Sequence, residues 1–251
     1  MCPMQHSPRL TDRLALITGA TRGIGRAVAL AYAREGAHLI LVGRTAGALE
    51  EVDDEVRELG RPATLLTLNL NDHDRIDALG PTIFQRWGKL DVLVGNAGVL
   101  GPLSPLGHVT AEAWKEVVDL NLNTNWRLIR TLDPLLRRSQ AGRAIFVTSG
   151  AALNRRAYWG PYSVSKAALE ALARTYAAET ATTNVRVNIF TPGPIRTRMR
   201  VQAFPGEDPM TLETPDNPAE KIVDLCLPSM QESGKLYAYP KGKFLDFRPP
   251  A

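Results

Sequence analysis

Short apolar runs alternate with stretches of helical period along this 251-residue chain. RLALITG (13–19), HLILVGR (38–44), ATLLTLNL (63–70), LDVLVGNAG (90–98), RAIFVTSG (143–150) and VRVNIFTPG (185–193) are rich in Leu, Ile and Val, and most end at Gly, Asn or Ser. Such runs read as strands buried on both faces. Between them lie amphipathic helices such as IGRAVALAYAREGA and ALEEVDDEVRELG. The second follows Thr45, a residue type that caps helices, and stops at Gly60. AEAWKEVVDLNLNTNWRLIRTLDPLLRR is a longer helical stretch that Pro134 should bend or interrupt. Regular β-α alternation predicts a parallel sheet with helices on both faces. A seventh strand near KLYAYPKG (235–242) would complete a single α/β, doubly wound Rossmann-type domain over 1–251. Its strand order would be 3-2-1-4-5-6-7, with the ligand crevice at the carboxyl ends of the strands. The Pro-rich segment from 192 to 218 has no periodicity and is too long for a routine connection. Residues of about 194–218 are therefore expected to form a substrate lid or to be partly disordered.

Apolar residues make up 44% of the chain and charged residues 22%, the balance of an ordinary globular protein. The 30 Lys and Arg give a net charge of +4 but are scattered, so nucleic-acid binding is not expected. Cys2 and Cys226 lie far apart and give neither a disulfide framework nor metal-ligand spacing. A reducing, cytoplasmic setting without a metal follows as the expectation. MCPMQHSPRL at the start has no apolar run and does not read as a secretory signal. No stretch approaches the roughly 18 apolar residues of a membrane span.

TGATRGIGRA (18–27) follows the first strand and opens the first helix. Gly19 permits a tight turn, and Gly23 and Gly25 remove side chains where backbone must meet a pyrophosphate or a strand. The helix N-terminus then presents free N–H groups and a positive dipole to phosphates. NAD sites usually place an acid after the second strand to hold the ribose 2′-hydroxyl. Here Gly43 and Arg44 stand at that position, and Arg22 can reach the same corner. Two guanidinium groups and no acid suit a 2′-phosphate, so NADP(H) is the expected cofactor.

Tyrosine and lysine occur four apart twice, in YSVSK (162–166) and YAYPK (237–241). Pro240 forbids a regular helix in the second. In the first, a helix starting near Pro161 puts Tyr162 and Lys166 one turn apart on one face. A free tyrosine has a pKa of about 10, and a nearby lysine cation would lower it. Ser149, just past the fifth strand, could hold a substrate carbonyl. Hydride transfer to or from a nicotinamide needs a proton partner, which Tyr162 can supply.

Together these residues resemble the short-chain dehydrogenase/reductase family over nearly the whole chain: TGATRGIG, NAG at 96–98, Asn121 in VVDLNL, Ser149, YSVSK and PGPIRTRM at 192–199. The interval from Ser149 to Tyr162 matches the family's usual one. The resemblance implies catalytic roles for Ser149, Tyr162 and Lys166, with Asn121 supporting a water-linked proton relay. It implies cofactor contacts from Gly19, Thr21, Arg22, Gly23, Ile24 and Gly25 in the first turn, and from Arg44, Asn69 and Leu70 toward the adenosine. Asn96, Ala97 and Gly98 would border the cofactor while Asn96 braces the sheet. Pro192, Gly193, Ile195 and Thr197 would lie along the nicotinamide half, and Tyr162 and Lys166 would also touch it. A carbonyl or secondary-alcohol substrate is implied, as is a homodimer or homotetramer built on the 112–138 stretch and the Tyr162 helix. A protein that senses NADP(H) without turnover, and an isomerase or dehydratase, are the alternatives on the same fold.

Two positions depart from the family pattern. Asn69 stands where an Asp is usual, and Gly95-Asn96 replaces a doubled asparagine. The chain also ends soon after the seventh strand, in FLDFRPPA. Arg155, Arg156, Arg196, Arg198 and Arg200 are expected near the mouth of the site. If they converge, their potential would attract an anionic substrate such as a 3-oxoacyl thioester; otherwise they face solvent or the cofactor phosphates. Trp114, Trp126 and Trp159 suit packing as well as substrate contact.

Overall fold

The computed structural model describes residues 7–60, 62–154 and 156–247. In chain order the elements are β1 Leu14–Thr18, α1 Gly23–Arg34, β2 His38–Gly43, α2 Ala46–Glu58, β3 Thr64–Thr67, α3 His73–Asp77 and α4 Leu79–Trp87. They continue with β4 Val92–Gly95, α5 Ala111–Val118, α6 Thr124–Arg138, β5 Arg143–Val147, α7 Ala151–Asn154, α8 Gly160–Glu179 and β6 Arg186–Thr191. The last are α9 Arg198–Ala203, α10 Asp216–Leu225, β7 Leu236–Ala238 and β8 Lys243–Leu245. The sheet order is β3-β2-β1-β4-β5-β6-β7-β8. The first seven strands pair in parallel, and β8 returns antiparallel on β7. The expected order thus gains an eighth strand from residues read as a tail. Only three residues pair there, too few for a periodic signal.

Successive residues of each strand face opposite cores. Ala15, Ile17, Leu39 and Leu41 pack with α1, α2 and α10 on one side. Leu14, Leu16, Ile40 and Phe146 pack with α4, α6 and α8 on the other. This double burial explains why the runs are apolar throughout rather than alternating.

Two local expectations change. Thr45 has the extended backbone of a cap, but its side chain makes no capping bond. Pro134 does not interrupt α6: it removes one backbone donor, while Leu128, Leu132 and Leu135 keep the helix packed. The interruption lies earlier, where Asp119–Asn123 forms a π turn between α5 and α6. The segment after β6 follows a defined path, through α9, a 3-10 turn at Pro209–Thr211 and a parallel bridge between Ile195 and Glu213. Among the described residues, no helix is long and apolar enough to cross a membrane.

Candidate functional site

The carboxyl ends of the central strands open into one cleft of about 990 Å³. Of the site residues expected from sequence, all but Gly25 and Asn121 line it.

At one end the chain leaves β1 through Gly19, at a left-handed φ of 64°. Gly25 is buried behind this turn, where an added Cβ would run into the Gly19 carbonyl oxygen. Asn96 ties the turn to β4: its Nδ2 donates to the carbonyls of Thr18 (3.0 Å) and Gly19 (3.3 Å). The Thr18 hydroxyl accepts from the backbone N–H of Asn96 and Ala97. The methyl group of Thr197 faces Gly23 across the cleft. Helix α1 starts with neither a side-chain cap nor an acid in its first turn, so its N–H groups stay open to an anion. Arg22 and Arg44 are exposed on the cleft, and neither is ion-paired with another described residue. A backbone cradle closed to side chains, with two free cations at its corner, fits a phosphorylated dinucleotide. Asn69 uses its Oδ1 on its own turn, accepting from Asn71 N–H at 3.2 Å.

At the other end lie Ser149, Tyr162 and Lys166. Burial raises the Tyr162 phenol above its ordinary pKa, and a hydrogen bond with Ser149 opposes this. Sequence reasoning expected Lys166 to pull it down. Instead Lys166 Nζ lies 5.8 Å from the Tyr162 ring centre and donates to the Val147 carbonyl at 2.8 Å. Lys166 is itself lowered to about 8, because burial disfavours the cation; Glu170 acts the other way. The unfolded chain keeps this proton to about 10.5 and the folded chain releases it near 8. Ligand-free stability therefore rises as pH climbs through that window. Below pH 8 a cost of about 3 kcal/mol stays in force. Lys166→Met is expected to raise the ligand-free Tm at pH 7 by several degrees and to flatten the rise above pH 8. Thermal melts at both pH values check this; a lower Tm at pH 7 would show that Val147 and Glu170 already compensate the buried charge.

Asn121 sits in the π turn, fully buried behind the cleft. Its side chain exchanges two hydrogen bonds with the backbone of Val99, both 2.9 Å, and donates to Ser165 Oγ at 3.0 Å. Two buried polar residues here escaped sequence reasoning. Asn125 donates to the Asn121 carbonyl at 2.9 Å, inside the π turn. Its amide oxygen fills the space that a side chain at position 95 would need, which accounts for Gly95. Glu170 accepts from the Thr148 hydroxyl at 2.8 Å, linking the end of β5 to α8. Each lies four residues beyond a residue already singled out, Asn121 and Lys166, and that i,i+4 spacing was the available signal.

Of the five arginines, the four described ones do not form one cluster. Arg155 lies outside the described residues, as does Cys2. Arg156 lies over the rings of Trp159 and Phe204. Arg200 pairs with Glu207 through two bonds of 2.5 and 2.6 Å. Arg196 donates to the Leu212 carbonyl, and Arg198 is exposed on the cleft. YAYPK does not line the cleft: Tyr237 is a core residue in β7, and Pro240 lies in the 3-10 turn Tyr239–Lys241, where Lys241 is exposed.

Residues 13–208 match the family model described as short chain dehydrogenase. The chain is 38% identical over 218 residues to the uncharacterized oxidoreductase YciK of Escherichia coli strain K12, covering 84% of this chain and 86% of that protein. A short chain dehydrogenase of Shigella flexneri 2a strain 301 complexed with NADP superposes with a TM-score of 0.90 at 35% identity, over 94% of this chain and 100% of that one. One of Escherichia coli CFT073 complexed with NADPH gives a TM-score of 0.89 at 36% identity, over 92% and 98%. With its family model, its relatives and its fold in agreement, the chain belongs to the short-chain dehydrogenase/reductase family of oxidoreductases, which bind a nicotinamide cofactor and act on small molecules.

Proposed function

We propose that this protein is an NADP(H)-dependent reductase of ketones, or in reverse a dehydrogenase of secondary alcohols. The observation behind this reading is a single cleft with an anion cradle and two unpaired arginines at one end, and Ser149, Tyr162 and Lys166 at the other. The relatives solved with NADP and NADPH support the choice of cofactor. The nicotinamide, when bound, supplies or accepts the hydride. The Gly19–Gly25 turn and the start of α1 receive the pyrophosphate, Arg22 and Arg44 the 2′-phosphate, and Asn69 and Leu70 flank the adenine. Ala97, Gly98, Pro192, Gly193, Ile195 and Thr197 border the nicotinamide half.

Ser149 donates to the substrate oxygen, and Tyr162 gives its proton to the same oxygen in reduction. Burial keeps Tyr162 protonated, the form a donor needs. Lys166, one helical turn from Tyr162, is placed to hold the nicotinamide ribose. Asn121 ties this end of the cleft to Val99 and Ser165. Segment 194–218, closing over Tyr162 through Met199, serves as the lid. A sensor without turnover gains no support, because the chain belongs to an oxidoreductase family and keeps all four side chains. The decisive assay is NADPH consumption with a panel of ketones; no consumption with any of them would sink the reading.

A homodimer or homotetramer is part of the proposal. Trp126, Ile129, Leu172 and Tyr176 line a shallow groove between α6 and α8, with Arg130 and Arg137 beside Asp133 and Glu179. Mixed charges around an apolar strip suit a two-fold self-contact. Light scattering at micromolar concentration is expected to give a multiple of 27.5 kDa, and a monomer mass would reject it.

A further inference from the structure

The cleft wall beside Tyr162 is apolar and largely aromatic. Leu100, Ala151 and Tyr162 form a small buried cluster, against which Trp159, Met199 and Ala203 pack. Trp159 meets the Tyr162 ring edge-on at 6.1 Å, and Phe204 lies 5.6 Å beyond Trp159. Three rings thus run in sequence from the phenol toward the end of α9. The apolar surface continues outward. Leu103 lines the cleft, Leu106 packs on Gly160, and Tyr158 is 59% exposed beside Trp159. Tyr158 also holds a left-handed φ of 72°, a strained state for a side chain of its size.

Two arginines lie over the rings of this wall. Arg200, 3.7 Å from the Phe204 ring centre, is neutralised by Glu207. Arg156 is held over Trp159 and Phe204. Arg196 and Arg198 flank Thr197, whose methyl group faces Gly23 on the cofactor side. A cation buried against the three rings would lose its hydration and meet the Arg156 guanidinium. An apolar ring there would gain area burial and aromatic contact. Met199 Sδ stands 3.8 Å from the Tyr162 hydroxyl, in the place a substrate oxygen must take. Its flexible, unbranched side chain lets it turn aside and pack on the incoming group.

We propose that the substrate is a ketone or secondary alcohol bearing a bulky aryl or alicyclic group next to the reacting carbon. Trp159, Phe204 and Met199 form the subsite for that group. This deepens the carbonyl-reductase reading and rests on it. The test compares acetophenone with butanone, using full-length protein and NADPH. Acetophenone is expected to exceed butanone by about tenfold or more in kcat/KM. Phe204→Ala is expected to lower the acetophenone-to-butanone ratio about tenfold. Phe204→Leu replaces it if circular dichroism shows the alanine variant unfolded. Saturation-transfer NMR of acetophenone on the NADP+-loaded protein gives a readout independent of turnover. Binding that weakens in the Phe204 variant, without reduction of any ketone, would reject the reductase reading and leave the subsite standing. Preference for butanone, an unchanged ratio, or no acetophenone binding would each overturn the subsite.

Discussion

Tyr162→Phe is expected to lower kcat by about 10²–10⁴-fold while leaving the Kd for NADPH within about twofold, because only a proton donor is removed. The phenol is the hydroxyl that faces both Ser149 and Met199, and burial holds its proton at neutral pH. The ring remains in the variant, so the edge contact with Trp159 and the buried cluster survive. Tyr237→Phe is the matched control. Tyr237 stacks parallel on Phe190 at 6.1 Å and meets Phe244 edge-on at 5.2 Å, both through the ring that phenylalanine keeps. Its variant is expected to turn over within about twofold of wild type, since distant core changes of this size act mainly on stability. Steady-state rates with fluorescence titration of NADPH separate the two. Equal losses in both variants would show that the cleft is not where the chemistry occurs.

The contrast between the two tyrosines was legible because Pro240 and Pro161 act on backbone geometry alone, through a missing donor and a fixed φ. The same holds for the Gly19 turn and the doubly buried strands, whose causes are local and periodic. What escaped depends on partners far apart in sequence. Gly95 makes sense only beside Asn125, and the Arg200 charge only beside Glu207, seven residues on across a helix end. The π turn at Asp119–Asn123 leaves no compositional mark. It is stabilised where Asn125 reaches back to Asn121 and Lys115 pairs with Asp119. Tyrosine acidity was misjudged because spacing places Lys166 near Tyr162 but says nothing of how deeply both are buried. Burial moves each group toward its neutral form.

Cofactor preference is expected to respond as strongly as turnover. Arg22→Ala with Arg44→Ala should lower kcat/KM for NADPH by about 10²–10⁴-fold and barely change it for NADH. Each charge-assisted bond to a phosphate contributes about 1.5–3 kcal/mol, and the two side chains have no other described partner to fall back on. The apparent alternative, an acid at position 43 to accept from a 2′-hydroxyl, meets a steric obstacle. A Cβ on Gly43 would stand 2.7 Å from the Thr21 methyl and 3.1 Å from Leu49. Thr21 belongs to the turn proposed to receive the pyrophosphate, so Gly43→Asp alone is expected to disturb that turn for either cofactor. Adding Thr21→Ser to Gly43→Asp and Arg44→Ala removes the colliding methyl, and only that triple variant is expected to gain efficiency with NADH. Catalytic efficiencies with both cofactors, measured for the double and triple variants, decide the matter. An unchanged NADPH-to-NADH ratio in the double variant would mean that both arginines are solvated surface groups, and that the corner beyond Gly43 does not read the 2′ position.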